Sequence, residues 1–209
     1  MMGEMFLSPA RPFYQSTAMM NIDVIPKDKY CKFAQTHFKA AGKLLTTEAF
    51  SEAISIFDED TDPLNLGLAY RMRADSIRKR LMSEESTDVS STAWKNAIKD
   101  IENDLATCEK IYITGNMRNT LSVVSLYLSY VKYYCYLASC NVEINESTEM
   151  RYAKRAMEIA SRYSNGIDII KSASTQEDVK ETFVKVLAEN SDLSRIFSNI
   201  ITRTYELNI

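Results

Sequence analysis

The side chains with the plainest capacity for chemistry are cationic. Arg71, Arg73, Arg78, Lys79 and Arg80 crowd into ten positions, interrupted by Asp75. On a helix, Arg71 and Arg78 fall on one line, and Arg73 and Arg80 on the next. Guanidinium groups so placed grip phosphates or carboxylates by paired hydrogen bonds. Arg151, Lys154, Arg155 and Arg162 form a similar, weaker stripe further along. The candidate binding residues are therefore Arg71, Arg73, Arg78, Arg80, Arg151 and Arg155. A competing reading is structural, because cations near a helix C-terminus oppose its dipole. The net charge of −3 weighs the same way, since it gives no general drive toward an anionic partner.

Catalytic and metal chemistry fare less well. Asp58, Asp60 and Asp62 alternate as in a calcium loop, but Pro63 and Ala69 stand where glycine and glutamate are needed. The same acidic run, with Glu102 or Asp104, would suit a magnesium-dependent hydrolase only if a facing helix completed the set. His37 is the single histidine, with no His or Cys at i+3 or i+4. It reads as a residue of an apolar stripe rather than a base or ligand. Cys31, Cys108, Cys135 and Cys140 have no C-x-x-C spacing and read as reduced, mostly buried thiols. We expect no catalytic residues, no metal and no cofactor.

The elements that must position these residues are helices. All four prolines, Pro9, Pro12, Pro26 and Pro63, lie in the first third of the chain, and there are only five glycines. Such a stretch without breakers is what long helices require. Apolar residues recur at three- and four-residue steps from Tyr30 to Leu45 and again at Phe50, Ala53, Ile54 and Phe57. They recur at Leu66, Ala69, Tyr70, Ile77 and Leu81, and at Trp94, Ala97, Ile98, Ile101, Leu105, Cys108 and Tyr112. Asp62-Pro63 reads as a cap and first turn. Later segments carry Ala153, Ala156, Met157, Ala160 and Tyr163, then Val179, Phe183, Val186 and Leu187, then Leu193, Ile196 and Phe197. Gly166 reads as a helix stop.

From Leu121 to Ala138 the only charge is Lys132, and five tyrosines are spread along the run. Tyrosines gathered at two interfaces would mark a membrane span. Spread evenly, with a lysine well inside, they mark a helix buried by others. The fold class is all-α: a bundle or short stack of about seven to eight antiparallel helices around the central apolar helix 121–138. Residues 1–26 read as a flexible N-terminal tail without a signal peptide, and 27–209 as one all-helical domain. An intracellular location is expected.

The segment Phe50-Ser51-Glu52-Ala53-Ile54 with Phe57, and Trp94-Lys95-Asn96-Ala97-Ile98 with Ile101, resemble the second helix of the tetratricopeptide repeat family. Asp62-Pro63 falls near that repeat's closing proline. Ala41 or Ala74 stands where the first-helix glycine belongs, and the spacing is irregular. The resemblance implies a scaffold that binds a peptide or helix in a groove. The leading functional expectation is thus a non-enzymatic interaction module, an adaptor, assembly subunit or regulator that binds another protein or itself. The second is a nucleic-acid-associated protein using both basic stripes. The third is a small metal-dependent hydrolase using Asp58, Asp60 and Glu102.

Overall fold

Capping chemistry sets most of the helix starts. The computed structural model describes residues 46–60, 62–84, 87–174 and 177–197. The expected tail, the helix expected over 27–45 with His37, and the chain beyond 197 lie outside the described residues. Among the described residues there are eight helices and no strand. The chain divides into two compact units, one ending at Asn116 and the other beginning at Met117, where the sequence reading has one domain over 27–209.

The first unit holds α1 (Thr47–Ile56), α2 (Pro63–Ser83) and α3 (Thr92–Thr114). Thr46, Asp62 and Ser91 each accept a hydrogen bond from the backbone N–H three residues on, at 3.1–3.2 Å. Each thereby satisfies a donor that the first turn leaves open. Pro63 follows its cap at the first helical position, where its missing N–H costs nothing. Ala49, Phe50, Ala53 and Ile56 form the buried face of α1, while Ile54, expected on it, is half-exposed. Lys110–Thr114 continues α3 to its end at Gly115.

The α2–α3 seam runs antiparallel. Gly67 meets Tyr112 near one end, and Arg73 meets Asp104 further along. A Cβ on Gly67 would overlap the edge of the Tyr112 ring at Cε1 and stand 3.0 Å from Cδ1. Tyr112 is itself 1% exposed and has nowhere to retreat. Glycine inside a helix costs about 1 kcal/mol relative to alanine. Here it admits an aromatic ring to the helix backbone.

The second unit holds α4 (Leu121–Ser139), α5 (Glu146–Ala160), α6 (Ser164–Ser174), α7 (Glu177–Glu189) and a last helix, α8, over 191–197. As expected, α4 is buried over most of its circumference, from Val123 to Leu137. It packs against α5, α6 and α7. Its tyrosines divide: Tyr130, Tyr133 and Tyr136 are buried, and Tyr127 and Tyr134 are half-buried. Tyr152 of α5 stacks on Tyr130 with ring centroids 4.2 Å apart and planes 4° from parallel. It also touches the rings of Tyr127 and Tyr134. Among the described residues, no helix is long and apolar enough to cross a membrane.

One boundary differs from expectation. Gly166 does not stop a helix; α5 ends at Ala160, and Gly166 lies inside α6. A Cβ there would stand 2.9 Å from the Ala160 Cα and closer still to its carbonyl oxygen. The glycine serves a tight α5–α6 corner rather than a left-handed cap. Its N–H donates to the Tyr163 carbonyl at 3.0 Å.

Candidate functional site

Three of the four α2 arginines, Arg71, Arg73 and Arg78, are engaged within the fold. Arg73 donates from Nε and from one terminal nitrogen to the two carboxylate oxygens of Asp104, at 2.8 and 2.7 Å. Its other terminal nitrogen donates to Ser51 Oγ on α1 at 3.0 Å. This bidentate pair, with Ser51, joins the three described helices of the first unit. Asp104 raises the Arg73 pKa, while burial pushes the Asp104 carboxyl up against the pull of the guanidinium. Arg71 pairs with Asp75 at 3.1 Å. Arg78 is buried, with Nε 3.9 Å from Asp75 and one terminal nitrogen 2.9 Å from Met82 Sδ. Arg80 is exposed, as is Lys79. Asp75, which interrupts the cationic run in sequence, is thus its internal counter-charge. A depression of about 310 Å³, lined by Thr47, Ser51, Asp100 and Asn103, lies over the Arg73–Asp104 pair.

The second stripe belongs to the other unit. Arg155 pairs with Glu158 at 3.0 Å and reaches Asn119 Oδ1 at 3.4 Å. Arg151 is exposed, its guanidinium 5.4 Å from the centre of the Tyr152 ring. Asp58, Asp60 and Glu102, the acidic residues of the hydrolase reading, are exposed. Among the described residues, no three His, Cys, Asp or Glu side chains are grouped to hold a metal ion.

The structure draws attention instead to the outer side of α5 and α7. There, an open depression of about 400 Å³ is floored by Cys135, Glu149 and Thr182 and walled by Ala138, Ile144 and Met150. The three floor residues come from α4, α5 and α7 and are 6–8% exposed. Glu149 Oε1 accepts hydrogen bonds from Thr182 Oγ1 and, at 3.3 Å, from the Cys135 thiol. Glu149 sits in the first turn of α5, where the helix dipole favours a carboxylate. At the rim, Lys185 holds Glu146 at 2.5 Å and Glu181 at 3.1 Å. Both carboxylates raise the Lys185 pKa.

A second depression, also of about 400 Å³, adjoins the first at Met150, which lines both. Its charged residues are Arg151, Lys154 and Glu189. The first depression carries three carboxylates and one cation, a formal −2, and the second carries two cations and one carboxylate, a formal +1. Two members of the α5 stripe therefore line this groove. The Cys135–Glu149–Thr182 floor was not foreseen, because it joins residues 14 and 33 apart across three helices. The local signals, Glu146 with Glu149 and Glu181 with Lys185, look like ordinary first-turn and i,i+4 charge placement.

In comparisons with known proteins, the chain matches no family model, no curated protein and no solved structure.

Proposed function

We propose that the chain is a non-enzymatic protein-interaction module that holds a partner segment along the α5–α7 groove of its second unit. The observation that carries this reading is the pair of adjoining depressions with opposite charge, sharing Met150 as an apolar wall. An elongated groove with an acidic and a basic end suits an extended or helical segment, which it would orient by charge. The helical-hairpin resemblance in the sequence points to the same class of function.

The nucleic-acid reading has less support. Three of the four α2 arginines are committed to carboxylates or buried, and the α5 stripe contributes to a groove that is acidic at one end. The deciding experiment is native affinity purification of the tagged full chain, with sedimentation velocity to detect self-association. Met150→Glu is the matched variant. A protein partner or a second copy should associate with the wild type and be lost from a folded Met150→Glu chain. If neither associates, or if the variant retains what the wild type holds, the proposal fails.

A further inference from the structure

We propose that the acidic depression is a socket for a primary ammonium, filled by a lysine side chain of the partner segment. This rests on the interaction reading above and names the chemistry at one end of that groove. Glu149 is the centre of it. The side chain is 7% exposed, yet it lines an open cavity. Both of its hydrogen bonds go to Oε1, and Oε2 makes none. Glu149 thus turns one unengaged, solvent-facing oxygen into the depression, where a cation or a donor can reach it.

The cation already present does not fill this role. Among the described residues Lys185 is the only basic one lining the depression, and its ammonium is occupied at the rim by Glu146 and Glu181. Two of the three carboxylates are thereby bridged by one lysine, and Glu149 is left without a counter-charge. Nor is a dipole at the start of α5 a substitute for contact, since it acts on both oxygens alike while the hydrogen bonds reach one.

The geometry selects the kind of cation. A guanidinium binds a carboxylate best through both oxygens. Oε1 already accepts from a hydroxyl and a thiol, so the carboxylate offers one free acceptor, which suits the point charge of an ammonium. The walls suit the carrier: Ala138, Ile144 and Met150 form an apolar sleeve for a four-carbon stem. Arg151 and Lys154 at the other end of the groove would meet an acidic residue of the same segment. A lysine with acidic residues to one side of it is the sequence pattern that fits.

The test is an NMR titration of the isotope-labelled full chain with Nα-acetyl-lysine N-methylamide. The Nε-acetylated compound and the arginine analogue serve as comparators. The lysine compound should shift the amides of Cys135, Glu149 and Thr182. Losing the charge by acetylation should weaken binding by about tenfold or more, the effect of one well-formed charge contact. Glu149→Gln should abolish the response. Ala138→Trp, at an exposed wall position, should block it without touching the buried floor, which keeps the test valid if Glu149→Gln fails to fold. Equal binding of the acetylated compound, tighter binding of the arginine analogue, or no shift at these amides overturns the proposal. Should the lysine compound fail while Met150→Glu still abolishes partner capture, the groove stands and the socket falls. If the compound binds but no protein or second copy associates, the lysine source is overturned together with the interaction reading.

Discussion

Replacing Arg73 by methionine separates two readings of the α2 cations with one substitution. If Arg73 served a surface that grips an outside anion, its loss would leave stability nearly unchanged. The structure says otherwise: Arg73 binds both oxygens of Asp104, whose side chain is 5% exposed, and ties in Ser51. Methionine keeps the apolar stem but strands a carboxylate in a site that burial already disfavours. Removing one partner of a buried pair costs about 3–5 kcal/mol. Because the Arg73 side chain is 24% exposed, water recovers part of that, and about 2–4 kcal/mol remains. With a urea m-value of about 2 kcal/mol/M the midpoint falls by roughly 1–2 M. Trp94 is the one tryptophan and lies buried in α3, so its fluorescence follows the first unit alone. The deficit should shrink as pH falls. With its folded pKa raised above the unfolded value, a lone Asp104 costs stability as pH rises through that interval and costs nothing once protonated in both states. Adding Asp104→Asn should recover much of the loss at neutral pH. An unchanged Trp94 midpoint for Arg73→Met would refute the internal role, and the α2 stripe would return as a binding surface.

Two further outcomes test the packing of the same unit. Gly67→Ala should destabilise by about 1–2 kcal/mol, because overpacking against the immobile Tyr112 ring outweighs the roughly 1 kcal/mol that alanine gains in helix propensity; a stabilised variant would show that the seam opens freely. Burial pushes the Cys108 thiol up to about 12. The unfolded thiol ionises near its ordinary value, so between about pH 8.5 and 12 unfolding releases a proton and stability falls by up to about 1.4 kcal/mol per pH unit. Alkaline urea titrations should show a shallower decline for Cys108→Ala, and native-state alkylation should reach half-buried Cys140 long before Cys108.

What the sequence made legible was whatever is encoded locally. The cap at Asp62, and the apolar faces of α3, α5 and α7, depend on neighbours within four residues and are found where expected, save that Ile98 of α3 is half-exposed. The buried character of α4 was readable from the spread of its tyrosines. Gly67 and Gly166 were not, since each is fixed by a residue of another helix that comes into view only once the pair is packed. The internal pairing of the α2 arginines was hidden for the same reason. Spacing put Arg71, Arg73, Arg78 and Arg80 on adjoining lines, but it did not say that Asp104, 31 residues on, would face Arg73. The groove floor is the extreme case. A glutamate, a threonine and a cysteine, each unremarked alone, acquire meaning only by meeting.

The corner at Gly166 has a consequence for how the molecule ages. Asn165-Gly166 is the dipeptide in which a chain most readily loses the asparagine amide, because the glycine nitrogen can turn back on the side-chain carbonyl and close a five-membered imide. Here that nitrogen is engaged with the Tyr163 carbonyl, and the α6 backbone is pinned against Ala160. The attack geometry is out of reach while the corner stays closed. Conversion of Asn165 to aspartate and isoaspartate therefore keeps a slow chemical record of how often that corner opens.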